Sequence, residues 1–339
     1  MACNGPEQAD VGVLLLNMGG PDQLAAVRPF LDNLFSDREI IRLPGGAIGQ
    51  QVLGRLIVRA RLKDAVRNYR AIGGGSPIVC WTTSQMETLQ ERLAEQLDQA
   101  PKVGMAMRYW HPFADEALSD LAAAGVRHVI GLTLYPHYTR ATTGSSEVDL
   151  LAARDRLGLK LPISFISSWY DHPGYLDLWA SLVQETLDGL MPDVRERVHL
   201  LVSAHGLPQR FVDRGDPYVD HVRATLNGVL TRLDDPPPAQ FAFQSRTGPV
   251  KWIGPGTEEE IRKLAAQGCD ALVVWPISFV SDHIETTYEV GMLFREVARE
   301  AGIEEYHVVP SFNDHPGLAD FLADLLTSHM AELGRQPSR

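Results

Sequence analysis

The chain has 339 residues, of which 45% are hydrophobic and 22% are charged, and its formal net charge is −12. This composition is typical of a globular protein in water, and the length favours two domains of roughly 150 residues each. The acidic balance argues against a general nucleic-acid binder, because it repels phosphate backbones. Cys3, Cys80 and Cys269 lie far apart and are odd in number, so neither a disulfide framework nor a CxxC metal knuckle is expected.

Eight apolar runs rich in β-branched residues alternate with helical patterns along the chain. They occupy residues 11–17, 103–109, 128–136 and 161–166 in the first half, and 198–204, 240–245, 270–277 and 305–311 in the second. Apolar strands separated by helices are typical of parallel sheets that helices cover on both faces. We therefore predict an α/β protein of two domains, 1–168 and 169–339, each with about four parallel strands.

The first domain carries a long insertion between Pro21 and Lys102, for which the pattern predicts several helices. Residues 52–70 of this insertion form a basic amphipathic pattern with one acidic residue, Asp64. Its basic residues are Arg55, Arg59, Arg61, Lys63, Arg67 and Arg70. Such a helix suits an anionic membrane surface. A solvated helix whose apolar stripe packs on the core explains the same pattern equally well.

The two halves share an internal repeat. Residues 108–142 align without a gap on residues 251–285, and the alignment places Pro112 on Pro255. The common order of turn, helix, glycine and strand is difficult to attribute to chance. The two domains are therefore expected to have similar folds.

A second pairing places a methionine opposite a histidine. LNMGGP at 16–21 resembles SAHGLP at 203–208, and each motif ends the first strand of its half. On this alignment Met18 occupies the place of His205. Because ligands of open parallel sheets bind beyond the carboxyl ends of the strands, we expect both side chains to face a common cleft. A histidine at a strand end is also a common structural residue, so this pattern alone leaves both interpretations open.

Polar residues are concentrated in PISFVSDHIETTYEV, at 276–290. On a regular helix Asp282, Glu285 and Glu289 share one face, whereas His283 points elsewhere. Carboxylates at the start of a helix commonly act as caps. Three carboxylates and a histidine exceed that requirement, and either a site for a cation such as Fe²⁺ or a proton relay explains the surplus. The chain lacks the spacing of dinucleotide and phosphate loops and has no GxSxG elbow.

In order and spacing, the chain's motifs resemble those of ferrochelatases, the enzymes that insert Fe²⁺ into protoporphyrin IX. The matching motifs are LNMGGP, RNYRAIGGGSPI, RYWHP, YPHYTRATTGSS, SAHGLP, RGDPY, WIGPGT and SFVSDHIETTYE. The resemblance covers residues 11–325, and SAHGLP together with SDHIET is its most specific part. It implies two Rossmann-like domains related by pseudosymmetry, each with a four-stranded parallel sheet flanked by helices.

The resemblance also implies a role for each matching residue. His205 corresponds to a proton acceptor or iron ligand, Glu285 works beside it, and Asp282, His283 and Glu289 extend the metal-binding set along an acidic path. The residues that correspond to the walls of the porphyrin pocket are Met18, Tyr69, Ser76, Arg108, Trp252 and Phe279. The family's DHIET helix is widened into π turns, which displaces Glu289 from the regular-helix face.

These residue types suit the reaction that the resemblance implies. A porphyrin loses two pyrrole protons as it gains a divalent ion, so the site needs a base active near neutral pH and a path for cations. Aromatic and thioether side chains provide walls for a flat apolar ring. If those walls hold the ring bent, its nitrogens become accessible.

Some positions depart from the family pattern. Leu293 stands where many members have a further acidic residue. The YP..Y segment has Arg140 in place of a cysteine, and the tail HMAELGRQPSR has none, so we expect no iron–sulfur cluster and no permanently bound cofactor. Met18 favours protoporphyrin IX as the substrate. The alternatives are a coproporphyrin III ferrochelatase, a cobalt chelatase for sirohydrochlorin and a haem or metal carrier without catalysis.

The location and partners follow from the same patterns. The first residues, MACNGPEQAD, lack the basic and apolar regions of a signal peptide, and no run approaches the ~20 apolar residues that span a bilayer. We expect a cytoplasmic enzyme that uses Fe²⁺ and protoporphyrin IX as substrates, binds no nucleic acid and is a monomer or a homodimer. Residues 52–70 predict peripheral association with the inner membrane.

Overall fold

The computed structural model describes residues 10–246, 248 and 250–335. Packing divides the chain into two units, one of residues 1–168 with 313–339 and the other of residues 169–312. Each unit contains one sheet of four parallel strands. The predicted α/β class with two such sheets is confirmed.

The sheet of the first unit has the strand order β2-β1-β3-β4. Its strands are β1 (Val11–Asn17), β2 (Lys102–Met107), β3 (His128–Thr133) and β4 (Ile163–Ile166). Every residue of β1 is buried, as expected for a central strand covered on both faces. Leu14 of β1 pairs with Gly104 on one side and with Gly131 on the other. The carboxyl ends of β1, β2 and β3 therefore lie side by side.

The helices of the first unit include the predicted insertion. They are α1 (Val27–Ser36), α2 (Gly46–Ala71), α3 (Ile78–Gln96), α4 (Ala114–Ala123) and α5 (Ser145–Arg156), with a 3-10 turn at Leu24–Ala26 and a π turn at Arg140–Gly144. The basic stretch 52–70 lies within α2, as predicted. Leu118 of α4 and Leu150 of α5 are fully buried against one face of the sheet.

The sheet of the second unit repeats this topology in the order β6-β5-β7-β8. Its strands are β5 (His199–His205), β6 (Ala239–Gln244), β7 (Ala271–Trp275) and β8 (Glu305–Val308). Its helices are α6 (Pro173–Asp188), α7 (Pro192–Arg197), α8 (Gln209–Val212), α9 (Tyr218–Leu230), α10 (Thr257–Ala266) and α11 (Phe294–Ala301), and a π-helix at Glu285–Leu293 leads into α11. In both units the first strand is flanked by the second and third strands.

The last helix, α12 (Pro316–Arg335), belongs to the first unit. It packs on α3, where Arg92 forms an ion pair of 2.7 Å with Asp320 and Gln96 donates a 3.3 Å hydrogen bond to Asp324. The expected second domain, 169–339, therefore differs from the packing unit in its last segment. In the described part of the chain, no helix combines the length and the apolar character needed to cross a membrane.

Candidate active site

His205 is the last residue of β5, and its ring forms a short hydrogen bond with a carboxylate. Nδ1 of His205 lies 2.7 Å from Oε2 of Glu285, and the side chains are 34% and 14% exposed. The turn that follows needs glycine, because a Cβ at Gly206 would lie 2.8 Å from the carbonyl oxygen of Gln244. In SAHGLP the backbone at Gly206 thus lies close to that of Gln244 on the neighbouring strand, directly after His205. This contact helps to fix the position of the His205 ring.

A second carboxylate lies next to Glu285. The hydroxyl of Ser245 is 2.9 Å from Oε2 of Glu285 and 2.6 Å from Oε2 of Glu289. The amide of Gln244 donates at 3.3 Å to the same oxygen of Glu289 and at 3.3 Å to the backbone carbonyl of Glu285. The structure thus brings His205, Glu285 and Glu289 together at the carboxyl ends of β5 and β6.

The pKa values of these three groups diverge. Burial lowers the pKa of His205, but the charge and hydrogen bond of Glu285 outweigh burial and raise it above its usual value. Burial also opposes ionisation of Glu285, yet His205 holds the pKa of that carboxyl well below its usual range. Burial and the neighbouring Glu285 charge raise the pKa of Glu289 to about 7. Glu285 is therefore ionised, whereas the neighbouring Glu289 exchanges protons near neutral pH.

Asp282 and His283 precede the helix and point to other partners. Asp282 accepts a 3.0 Å hydrogen bond from Ser311. The His283 ring is buried, with Nδ1 3.1 Å from the carbonyl oxygen of Ser281, and burial lowers its pKa. The regular-helix face predicted for Asp282, Glu285 and Glu289 is therefore wrong, because residues 281–283 are not helical and Glu285–Leu293 is a π-helix. The widened helix that the resemblance implied is confirmed.

Two aromatic residues predicted for the ligand pocket lie around the end of β5. The Phe279 ring stands edge-on to the His205 ring at 6.4 Å and is 4.6 Å from the His283 ring. Trp252 pairs through its backbone with Pro208, two residues beyond the glycine of SAHGLP. A Cβ at Gly206 would lie 3.4 Å from the Trp252 ring. The second unit thus gathers its predicted pocket residues around the end of β5.

The first unit brings two of its predicted pocket residues to the end of β1. The backbone N–H of Met18 donates a 2.8 Å hydrogen bond to the side chain of Asn17. The backbone N–H of Ser76 donates at 2.7 Å to Pro21, and a Cβ at Gly20 would lie 2.6 Å from Cβ of Ser76. The glycine-rich motifs NMGGP and GGGSP are therefore packed against each other. Tyr69 is buried near the end of α2.

Arg108, also predicted for the pocket, forms an internal ion pair. Its guanidinium lies 3.1 Å from Asp37 and donates a 2.7 Å hydrogen bond to the hydroxyl of Ser145. Asp37, whose side chain is 3% exposed, also accepts a 2.7 Å hydrogen bond from Tyr109. These contacts indicate a structural contribution for Arg108 in addition to any contact with a ligand.

Sequence reasoning missed Gln244 and Ser245. The available signal was their position, since QS ends an apolar strand of a parallel sheet, where ligand-binding residues are expected. Within residues 10–246, 248 and 250–335, no group of three or more His, Cys, Asp or Glu is arranged to hold a metal ion.

Solved structures establish the class of the fold. SirB from Bacillus subtilis, solved with Fe³⁺, is similar with a TM-score of 0.52 and 11% identity, over 94% of this chain and 95% of that chain. A multi-domain protein of Deinococcus radiodurans, described as structurally similar to chelatases, gives a TM-score of 0.50 with 16% identity, over 97% of this chain and 56% of that one. The chain therefore has a chelatase-like α/β fold.

Sequence comparison identifies the family. The ferrochelatase family model matches residues 10–330. The ferrochelatase of Synechocystis is 46% identical over 320 residues, which cover 93% of this chain and 81% of the relative. That of Geotalea uraniireducens is 46% identical over 314 residues, which cover 93% and 96%. The chain belongs to the ferrochelatase family, and as such it is a metal chelatase that inserts ferrous iron into a porphyrin for haem synthesis.

Proposed function

We propose that the chain inserts Fe²⁺ into protoporphyrin IX and that His205 accepts the two pyrrole protons one at a time, releasing the first toward the neighbouring carboxylates, where Glu289 has a pKa of about 7, before it accepts the second. The observation that carries this proposal is the 2.7 Å hydrogen bond between His205 and Glu285 at the end of a buried strand. Because Nδ1 is engaged by the carboxylate, Nε2 is the ring nitrogen that receives a proton from the porphyrin. The carboxylate stabilises the imidazolium that forms, which is why the pKa of His205 is raised.

The two glutamates supply the acidic path for the metal. Glu289, whose pKa is raised to about 7, exchanges a proton for a divalent cation with little energetic cost near neutral pH. Glu285 stays ionised beside it. His283 and Asp282, in the segment that precedes the π-helix, are proposed to extend this acidic path, although their present partners are Ser281 and Ser311. The apolar side chain of Leu293, 36% exposed, supplies no ligand at the far end of that helix.

In this proposal each unit supplies residues that bind the porphyrin. In the second unit these are Phe279, whose ring lies 6.4 Å from that of His205, and Trp252, which pairs with Pro208. In the first unit they are Met18, Tyr69, Ser76 and Arg108. Side chains that hold the ring bent would expose its nitrogens to the metal and to His205. Met18 supports protoporphyrin IX over coproporphyrin III, as the resemblance implies.

The test is a metallation assay with purified protein. Protoporphyrin IX is mixed with Zn²⁺, or with Fe²⁺ without oxygen, and metallation is followed by absorbance or fluorescence, in parallel with coproporphyrin III. We expect repeated turnover with protoporphyrin IX. Faster turnover of coproporphyrin III supports the alternative ferrochelatase, and stoichiometric binding without turnover supports a carrier.

We also propose that α2 docks on an anionic membrane surface. Ile48, Val52 and Leu56 recur every four residues on one face of the helix and are 78%, 52% and 57% exposed. Arg55 and Arg59 are exposed beside this stripe. Apolar side chains flanked by cations match the acyl and phosphate layers of a bilayer.

Vesicle binding tests this docking. Arg61 lies over the Phe35 ring at 5.8 Å, so the triple variant Arg55→Gln, Arg59→Gln and Lys63→Gln removes cations without disturbing that contact. It should abolish sedimentation with phosphatidylglycerol vesicles, and high salt should weaken binding of the wild type. The charge-matched control is Arg127→Gln, Arg262→Gln and Arg299→Gln, whose side chains are 77%, 54% and 69% exposed. Equal binding by both triple variants contradicts the proposal.

The enzyme is further proposed to work without an iron–sulfur cluster, in the cytoplasm and at the inner-membrane surface, as a monomer or a homodimer. Cys269 is buried and Cys80 is exposed, whereas Cys3 lies outside the described residues. Purified protein should contain no acid-labile sulfide. Sedimentation analysis distinguishes the two oligomeric states.

A further inference from the structure

The end of β6 carries two polar residues to which the proposed chemistry assigns no role, Gln244 and Ser245. Ser245 has a φ of 60°, in the left-handed region that residues other than glycine, asparagine and aspartate rarely adopt. Its hydroxyl lies within 2.9 Å of Glu285 and 2.6 Å of Glu289. A serine in an unfavourable backbone conformation, aimed at two carboxylates, indicates that its side chain is needed there.

The side chain of Gln244 is fixed by a network of buried hydrogen bonds on the side away from the π-helix. Ser203 donates a 2.8 Å hydrogen bond to Oε1 of Gln244 and lies 2.8 Å from the hydroxyl of Thr257. Since Oε1 accepts from Ser203, the amide nitrogen must face the π-helix, where it lies 3.3 Å from Glu289. Gln244 is 2% exposed, so this orientation is fixed by the interior of the second unit.

We propose that Ser245, supported by Gln244, is a positioning residue that holds the carboxylates of Glu285 and Glu289 side by side for metal insertion. The inference rests on the proposed function of these glutamates. Two carboxylates this close repel each other, and donors between them offset that repulsion. A hydroxyl has one proton and donates to one carboxylate at a time, so the amide of Gln244 supplies the second donor.

Two substitutions of Ser245 distinguish the effect of its hydroxyl from the effect of its backbone conformation. Ser245→Ala removes the hydroxyl and retains the unfavourable φ, whereas Ser245→Gly removes the hydroxyl and accommodates that φ. If the hydroxyl positions the carboxylates, kcat should fall about 10- to 100-fold in both variants, by analogy with the loss of groups that orient metal ligands. KM for the porphyrin should not change, because Ser245 is not a wall of the pocket. Ser181→Ala is the control, since Ser181 donates a 2.9 Å hydrogen bond to a carboxylate, that of Glu185, on the exposed surface of α6.

Two kinetic results for these variants would contradict the inference. Wild-type kcat in Ser245→Gly overturns it, because the defect of Ser245→Ala then comes from the backbone. A raised KM with unchanged kcat overturns it too, since Ser245 then acts in porphyrin binding.

A crystal structure of Ser245→Gly provides a test without catalysis. The carboxylate of Glu289 should turn away from Glu285, and an unchanged arrangement of the carboxylates overturns the inference. If the wild type itself shows no turnover, the proposed function fails, while this structure still decides whether Ser245 positions the two carboxylates.

Discussion

Each unit places a serine hydroxyl between charged groups beyond its parallel sheet, but the charges differ. In the first unit Ser145 hydrogen-bonds both Arg108 and Asp37, a cation and an anion 3.1 Å apart. In the second unit Ser245 lies between two carboxylates, Glu285 and Glu289. In the first arrangement a cation lies beside the carboxylate, and Arg108 also lies 3.8 Å from Asp149. In the second, the hydroxyl lies between two carboxylates, whose negative charge a proton or a cation can neutralise.

The comparison shows how one repeated framework accommodates two purposes. The sheets have the same strand order, and in both units a π segment follows the third strand. In the first unit the buried charges are paired and contribute to packing. In the second, burial together with the neighbouring Glu285 charge raises the pKa of Glu289 to about 7, which is the behaviour expected of a functional site.

The largest expected effect is that of His205→Ala. Without the base, metallation should fall at least about 1000-fold, within the range of a general base, while porphyrin binding remains. The control is His111→Ala, because His111 forms a 2.9 Å pair with Glu116 on the surface of the first unit. Initial rates of zinc-porphyrin formation measure the difference. Full activity of His205→Ala would falsify the proposed role of this residue.

Arg108→Met tests whether the first unit's pair is structural. It leaves Asp37 buried without its cation, which should cost about 3 kcal/mol of unfolding free energy. The melting temperature should fall clearly below that of Arg127→Met, whose side chain is 77% exposed. If the two variants melt together, Arg108 does not stabilise the first unit.

Glu285→Gln keeps the shape of the side chain and removes its charge. The His205 imidazolium loses its stabilising partner, so kcat should fall about 100-fold, at the upper end of losses seen for orienting groups. KM for the porphyrin should stay constant. Glu116→Gln, which alters the surface pair of the first unit, should retain normal kinetics. A wild-type kcat for Glu285→Gln contradicts the coupling of the two side chains.

Glu289→Gln tests the energetic cost of the surplus charge. Because the folded pKa of Glu289, about 7, exceeds the usual 4.5, the native state keeps a proton that the unfolded chain has released between these values. This contribution to stability is complete below pH 4.5 and is lost as the pH rises through 7. The variant avoids that loss, so its stability relative to the wild type should increase by about 3 kcal/mol between pH 4.5 and pH 8. Urea unfolding in metal-free buffer measures it, and a pH-independent difference argues against a shifted pKa.

The sequence predicted those features that depend on local patterns. Apolar strands such as 11–17 and 198–204 indicated the parallel sheets, and SAHGLP with SDHIET indicated His205 and Glu285. Contacts between distant segments were not visible. Arg108 pairs with Asp37, which is 71 positions away in the sequence, and no local pattern around either residue indicates the other as its partner. Asp282 was misplaced because i, i+3 spacing assumes a regular helix that begins earlier than the real one.

The position of α12 has a consequence for the order of folding during synthesis. The first unit needs residues from both ends of the chain, since α12 packs on α3. The second unit, residues 169–312, is complete before α12 leaves the ribosome. Although domains generally fold from the N-terminus onward, here the second unit can finish its core first. Until α12 emerges, the nascent first unit exposes the face of α3 that this helix covers in the folded protein.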